Sequence, residues 1–327
     1  MKAIVCAKYG PLDGLKLEEV PKPSPGADEV LVKVHASSVN YSNLALVRGE
    51  PFVVRLEFGL LKPKYRIPGS EIAGRVEAVG GKVRQFRLGD EVFGDLSDCG
   101  RGGFAEYVCA RENALALKPA NISFEEDAAV PETALVALQS LRDIGQIKTG
   151  QQVLIYGASG GVGTFAVQIA KSFGAEVTGV CSTRNLDLVR SIGADHVIDY
   201  TREDFTRTGR RYDLIVATAG YRSIFDYKRA LTPGGIYVAP GGSLAQIFQA
   251  LLLGPFISMT GSRKLGSLLV KPNKDLAFMK ELIEAGKVKP VIDRRYQLSE
   301  AAEALRYYAE GHARGKVVIT VEHRNET

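Results

Sequence analysis

VLIYGASGGVGTFAVQIAK, residues Val153–Lys171, decides the fold. VLIY is an apolar, β-branched run of strand length, and FAVQIAK carries apolar residues at helical spacing. Between them stand Gly157, Gly160, Gly161 and Gly163. A glycine-rich turn entering a helix presents backbone N–H groups to a pyrophosphate, and the helix dipole favours the negative charge. Ala158 takes the first place of a G-x-G-x-x-G fingerprint, and Gly160 and Gly163 keep the other two. Strand, loop and helix in register are the context that separates a dinucleotide site from a chance match. The loop residues Ser159, Gly160, Gly161 and Val162 are therefore the candidate cofactor cradle. The competing reading is a tight helix-to-sheet contact without ligand.

The next strand, EVTGVC (Glu176–Cys181), leads into Ser182-Thr183-Arg184-Asn185. An NAD site usually carries Asp or Glu about 20 residues past the glycines, on the ribose 2′-hydroxyl. No acid stands in this tetrapeptide. The Arg184 guanidinium suits a 2′-phosphate instead. Tyr200, ending the following strand HVIDY, is placed to pack on the adenosine end. The expected cofactor is NADP(H).

Further strands follow at YDLIVATAG (Tyr212–Gly220) and GIYVAPGG (Gly235–Gly242), with helix-length segments between most of them. That alternation predicts β-α-β units and a parallel sheet. EEDAAVPETALVALQSLRDIG, before the glycine loop, reads as one helical stretch. The first 120 residues differ: VLVKVHA, EIAGRVEAVG, DEVFG and FAEYVCA are short strands punctuated by glycine turns. The chain closes with a helix ending at Gly286, a helix capped by Ser299 and stopped at Gly311, and the strand GKVVITV. The expected fold is α/β, with a β-rich domain from residues 1–122 and 266–327 and a Rossmann domain from 123–265.

Composition fits two ordinary globular domains: 327 residues, 45% hydrophobic, 24% charged. A net charge of +5 without a basic run argues against nucleic acid as partner. The most apolar stretch, Leu244–Met259, is broken by Gln246, Gln249, Gly254 and Pro255, so no membrane span is expected. The N-terminus shows no apolar signal region, making cytoplasm the expected location. Four scattered cysteines contain no C-x-x-C pair and read as buried thiols.

VNYSN (Val39–Asn43), GSEIAGRVEAVG (Gly69–Gly80), GDEVFG, GGFAEYV, the glycine loop, STRN, GADHVIDYTREDF (Gly193–Phe205), ALTPGG and GKVVI occur in that order along nearly the whole chain. In this the sequence resembles the medium-chain dehydrogenase/reductase superfamily, specifically its zinc-free quinone oxidoreductase branch. The resemblance implies a GroES-like catalytic domain beside the Rossmann domain, and a homodimer. An apolar edge segment, PFISMTG (Pro255–Gly261), supports the dimer, because exposed edges invite pairing. It further implies that Asn40 lies near the nicotinamide, with Tyr41 as a second candidate catalytic donor, and that Asn40 and Lys316 contribute to the cofactor site.

Zinc-dependent relatives carry a cysteine ligand where this chain has Asn40 and a histidine where it has Ser70. Catalytic zinc needs three Cys, His or carboxylate ligands, so zinc is not expected. His35, His196, His312 and His323 are dispersed, and His35 reads as a structural histidine. Without a Lewis acid for an alkoxide, the chemistry expected is hydride donation to an electrophilic acceptor. A quinone is the first choice, an enone or alkenal the alternative, and a non-catalytic NADPH sensor the reading from another class. Gly49–Pro68 is expected either to cover the substrate with Phe52, Leu56, Phe58 and Leu60 or to pack on its own domain. If the Asn40 loop is exposed, losing its side chain should cost little stability.

Overall fold

In the computed structural model, residues 1–219, 222–240, 264–267 and 270–323 are described. β1 (Lys2–Val5) pairs antiparallel with β2 (Lys16–Glu19). β3 (Glu29–Val39) is the axis of a seven-stranded sheet, pairing with β4 (Glu71–Val79) and β6 (Tyr107–Arg111). β5 (Glu91–Asp95) joins β4, and β7 (Leu115–Leu117) closes that edge. The alternation VLVKVHA predicts a half-buried strand. Val32–Ala36 obey, but Val30–Val32 and Ala36–Val39 are buried at every position.

α1 (Tyr41–Arg48) follows β3 directly. The next segment contains α2 (Arg55–Phe58). Phe58 enters the domain core, while Phe52, Val53, Leu56, Leu60 and Leu61 stay exposed. The single helical stretch expected around residue 130 is instead α3 (Phe124–Ala128) and α4 (Pro131–Gln139). A Ser123–Glu126 capping box starts α3. Pro131 has no N–H to continue it and suits a fresh first turn.

The second unit is a six-stranded parallel sheet of order β10-β9-β8-β11-β12-β13. Its strands are β8 (Gln152–Tyr156), β9 (Glu176–Cys181), β10 (His196–Asp199), β11 (Tyr212–Ala217), β12 (Leu231–Ala239) and β13 (Lys264–Ser267). α5 (Gly161–Ser172), α6 (Leu186–Ser191) and α7 (Ile224–Ala230) accompany them. Tyr156, Phe205, Tyr212, Tyr227 and Tyr237 fill one core, with Tyr227 stacked on Tyr237 at 4.7 Å between ring centroids.

β14 (Ile292–Gln297) and β15 (Lys316–Thr320) return to the first sheet, β15 pairing antiparallel with β3. The helix Ala301–Ala309 is not capped by Ser299, which lies inside a short 3-10 turn. Gln297 and Glu300 form the capping box there, its cap two residues earlier than the sequence suggests.

The compact units comprise residues 1–132, 272–284 and 292–327, and residues 133–271 and 285–291. The sequence-based divisions fall at 122/123 and 265/266, and the structural ones after Glu132 and Lys271. PFISMTG lies outside the described residues. No helix among the described residues is long and apolar enough to cross a membrane.

Candidate functional site

In the Rossmann unit, Gly157 has φ +82°, and a Cβ at Gly163 would lie 2.1 Å from the Gly157 carbonyl oxygen. The loop can therefore turn this tightly only with glycine at both places. Gly160 is the N-cap of α5 and supplies no side-chain cap. The first-turn amides of an uncapped helix favour an anion.

Asn185 ties the loop to the turn after β9. Its Nδ2 donates to Ser159 Oγ at 2.9 Å and to Ser182 Oγ at 3.2 Å. Asn185 Oδ1 is buried with no hydrogen-bond partner among the described residues. A buried unpartnered acceptor beside an uncapped helix end fits a ligand with donors, such as a ribose. Arg184 is exposed on the Thr183–Asn185 turn, and Tyr200 is exposed near Tyr156, 6.4 Å between rings.

The sequence reading missed one group here. Thr183 Oγ1 donates to Asp199 Oδ2 at 2.5 Å, and Asp199 also accepts from Thr201 N and Oγ1. These hydrogen bonds hold its carboxyl below the usual range. The β9–β10 register sets Asp199 opposite Cys181. A carboxylate thus stands beside a tetrapeptide that contains none, and the Thr183 hydroxyl is committed to it.

The GroES-like unit holds the other candidates. Asn40 is 6% exposed, so the condition under which its loss would cost little stability is not met. Its Oδ1 accepts from Asn43 N at 3.0 Å, capping α1, and from Ser42 Oγ at 2.9 Å. Its Nδ2 donates to Ser70 Oγ at 2.8 Å, to Glu71 Oε2 at 3.1 Å and to Glu132 Oε2. Capping and polar networking therefore coincide in one side chain. Tyr41, by contrast, is 58% exposed.

Strand register assembles this network. Ser38 stands opposite Glu71 and Val39 opposite Val317, which brings Lys316 to the level of Asn40. Glu71 is fully buried and fully used. Oε1 accepts from Glu132 N at 3.0 Å. Oε2 accepts from Ser38 Oγ at 2.6 Å, Asn40 Nδ2, and Lys316 Nζ at 2.7 Å. Asn40 and Lys316 are thus brought together through Glu71. Burial and the Glu71 and Asp95 charges push the Glu132 carboxyl up to about 8. Asp95 is pushed up to about 6, chiefly by burial.

Zinc does not fit this donor set. The Asn40 amide nitrogen donates and has no lone pair to give, Ser70 is neutral, and the Lys316 ammonium is already paired with Glu71. Among the described residues, no three His, Cys, Asp or Glu side chains are grouped to hold a metal. His35 stacks on Phe124 at 4.5 Å and meets His323 edge-on. Burial lowers it to about 4, the behaviour of a structural histidine. Cys6 and Cys181 are buried; Cys99 and Cys109 are half-buried rather than sealed. Burial pushes all four thiols up to about 11.

A parallel doubly wound sheet with a glycine cradle, joined in one chain to a GroES-like sheet, defines a nicotinamide-dependent oxidoreductase. The Alcohol dehydrogenase GroES-like domain matches residues 26–120, and the Zinc-binding dehydrogenase domain matches residues 192–319. The chain is 35% identical over 319 residues to the chloroplast envelope quinone oxidoreductase homolog of Arabidopsis thaliana, covering 94% of each. It is 34% identical to the NADPH-dependent alkenal/one oxidoreductase of the same plant, covering 98% of this chain and 79% of the relative. The quinone oxidoreductase of Coxiella burnetii superposes with a TM-score of 0.86 at 31% identity, covering 98% of this chain and 99% of that one. The chain belongs to the medium-chain dehydrogenase/reductase superfamily, in its quinone oxidoreductase branch.

Proposed function

We propose that this protein is a metal-independent, NADP(H)-dependent reductase that passes a hydride to a quinone. The observation that carries this reading is the Asn40–Ser70–Glu71–Glu132–Lys316 network, which holds an ammonium ion and has no thiolate or imidazole. When bound, the nicotinamide supplies the hydride. Ser159–Val162 would hold the pyrophosphate on the uncapped helix end, and Ser182–Asn185 with Tyr200 the adenosine end. Asn40 and Lys316, with Tyr41 beside them, would serve the nicotinamide and acceptor end.

Arg184 favours the 2′-phosphate, and the neighbouring Asp199 opposes it. The Asp199 charge is spread over hydrogen bonds from Thr183 and Thr201. The guanidinium therefore sets the preference. A panel of quinones and α,β-unsaturated carbonyls, followed by NADPH and NADH absorbance, tests the reading. Steady turnover of NADPH with a quinone is expected. Turnover with enones alone would favour the alkenal reductase reading suggested by the second Arabidopsis relative. Inertness toward every acceptor would favour a cofactor-binding sensor.

The protein is further proposed to be a homodimer, checked by its mass in solution. Four free thiols held protonated suit a reducing compartment such as the cytoplasm. Imaging of a tagged protein tests that location.

A further inference from the structure

The network around Asn40 contains more acid than its cations neutralise. Three carboxyl groups converge: Glu71 on β4, Asp95 at the end of β5 and Glu132 in the first turn of α4. Two cations face them: Lys316 on β15, paired to Glu71 at 2.7 Å, and Arg101, which is 3% exposed. Arg101 is shared with Glu57 at 3.9 Å and Ser42 Oγ at 3.1 Å. Tyr308, on the helix Ala301–Ala309, lies near Glu71 and Glu132 with Tyr41 beside it, and Cys99 lies near Asp95. Neutrality inside a buried cluster then requires one more positive charge, and a proton supplies it.

Hydrogen-bond geometry points the same way. The Asn40 NH2 carries two hydrogens, yet three oxygens lie within hydrogen-bond distance of its nitrogen: Ser70 Oγ, Glu71 Oε2 and Glu132 Oε2. Glu71 is saturated by an ammonium, a hydroxyl and an amide, all donors to a carboxylate. Glu132 meets Ser70 Oγ only at 3.5 Å. Ser70 Oγ also accepts from Asn43 Nδ2 at 3.2 Å, which leaves Glu132 Oε2 with a shared amide and one long hydroxyl contact, and a proton on Glu132 completes its hydrogen bonding. Burial and the two neighbouring carboxylates act in this direction, while the α4 N-terminus acts against it. Glu71 and Asp95 are sealed, whereas Glu132 keeps a partly exposed edge. Of the three acids, Glu132 is therefore the one best placed to exchange a proton.

We propose that Glu132 holds the cluster's one proton and delivers it to the acceptor that has received the hydride. This rests on the reductase reading above. The acceptor would gain two electrons with the hydride that bound reduced nicotinamide would supply. The Glu132 O–H bond breaks as the acceptor O–H bond forms, or a C–H bond for an enone. The resulting carboxylate regains a proton from water. Asn40 and Lys316 act as positioning residues, both donating to Glu71 Oε2, so that the Glu71 oxygens are filled by donors and the proton is left to Glu132.

The test combines kinetics and infrared spectroscopy on the full chain, with NADPH and a simple p-quinone. Wild-type kcat should fall about ten-fold per pH unit above about 8. Glu132→Gln keeps the carbonyl that accepts from Asn40 but removes the acid. It should lower kcat on the order of 10²-fold, abolish the pH limb and leave cofactor affinity unchanged. A carboxylic-acid C=O band should be present at neutral pH in the wild type and absent in Glu132→Gln. Should Glu132→Gln fail to fold, the wild-type band and its loss above about 8 still decide whether the cluster stores a proton. Normal turnover in Glu132→Gln, a wild-type kcat flat across that range, or no carboxylic-acid band at neutral pH would each overturn the proposal while leaving the reductase reading intact. A wild type inert toward every quinone and enone would overturn the reductase reading and the proposal with it.

Discussion

The glycine cradle and the Asn40 network are built in opposite ways. The cradle is backbone: Gly157 to Gly163 span seven consecutive positions, and the helix dipole supplies the charge complement. The network is side chain: Asn40, Ser70, Glu71, Glu132 and Lys316 come from four separate segments, and its charges are buried and paired. A site made of backbone tolerates side-chain change except where a Cβ collides. A site made of buried charges tolerates almost none, since each removal leaves a partner uncompensated. The first should therefore fail in binding, and the second in stability as well as turnover.

The largest effect is expected at Lys316. Lys316→Ala leaves Glu71 buried without its cation and should cost about 3–5 kcal/mol, measured by urea unfolding. A loss under about 1 kcal/mol would mean that water enters and replaces the ammonium. Asn40→Ala removes the α1 cap and an amide whose two hydrogens are shared among three oxygens. About 2–3 kcal/mol should be lost, alongside turnover. An unchanged melting temperature would show that the capping bond carries no weight.

On the other side of the comparison, Gly163→Ala drives a methyl toward the Gly157 carbonyl. Overpacking should cost about 1–3 kcal/mol, and calorimetric cofactor titration should show weakened binding. Arg184→Ala should leave stability within about 0.5 kcal/mol, since the side chain is exposed. NADPH affinity should fall about ten-fold or more and NADH affinity stay nearly unchanged, for a charge-assisted contact of roughly 1.5–3 kcal/mol. Equal wild-type affinity for both cofactors would remove Arg184 from that role.

A separate signal lies in the pH dependence of stability. Glu132 is raised in the folded state to about 8 from 4.5, so the native protein binds a proton that the unfolded chain releases. Its contribution is full below about 4.5 and declines as pH rises toward about 8. His35, lowered to about 4 from 6.5, has the opposite sign: its penalty is largest in acid and vanishes as pH climbs past 6.5. Subtracting the Glu132→Gln curve from the wild type isolates the first contribution. A difference that rises with pH between 4.5 and 8 would refute the assignment.

By itself the sequence determined the parallel sheet, the glycine cradle and the family, because each is written in neighbouring residues. Strand, turn and helix propensities act within a few positions, and Gly157–Gly163 hold the whole loop between them. Boundaries were less legible where local signals compete: Pro131 divided a continuous helical pattern, and Gln297 displaced Ser299 as cap. Tertiary structure alone decided what surrounds Asn40. Nothing near residue 40 announces Glu132 or Lys316, which are 92 and 276 positions away by their numbers. Antiparallel register brought Glu71 and Lys316 to Asn40, and the first turn of α4 brought Glu132. Parallel register likewise brought Asp199 to Thr183. Burial then changed the chemistry of these groups, because a carboxyl group's proton affinity depends on the charges and solvent around it and not on its place in the chain.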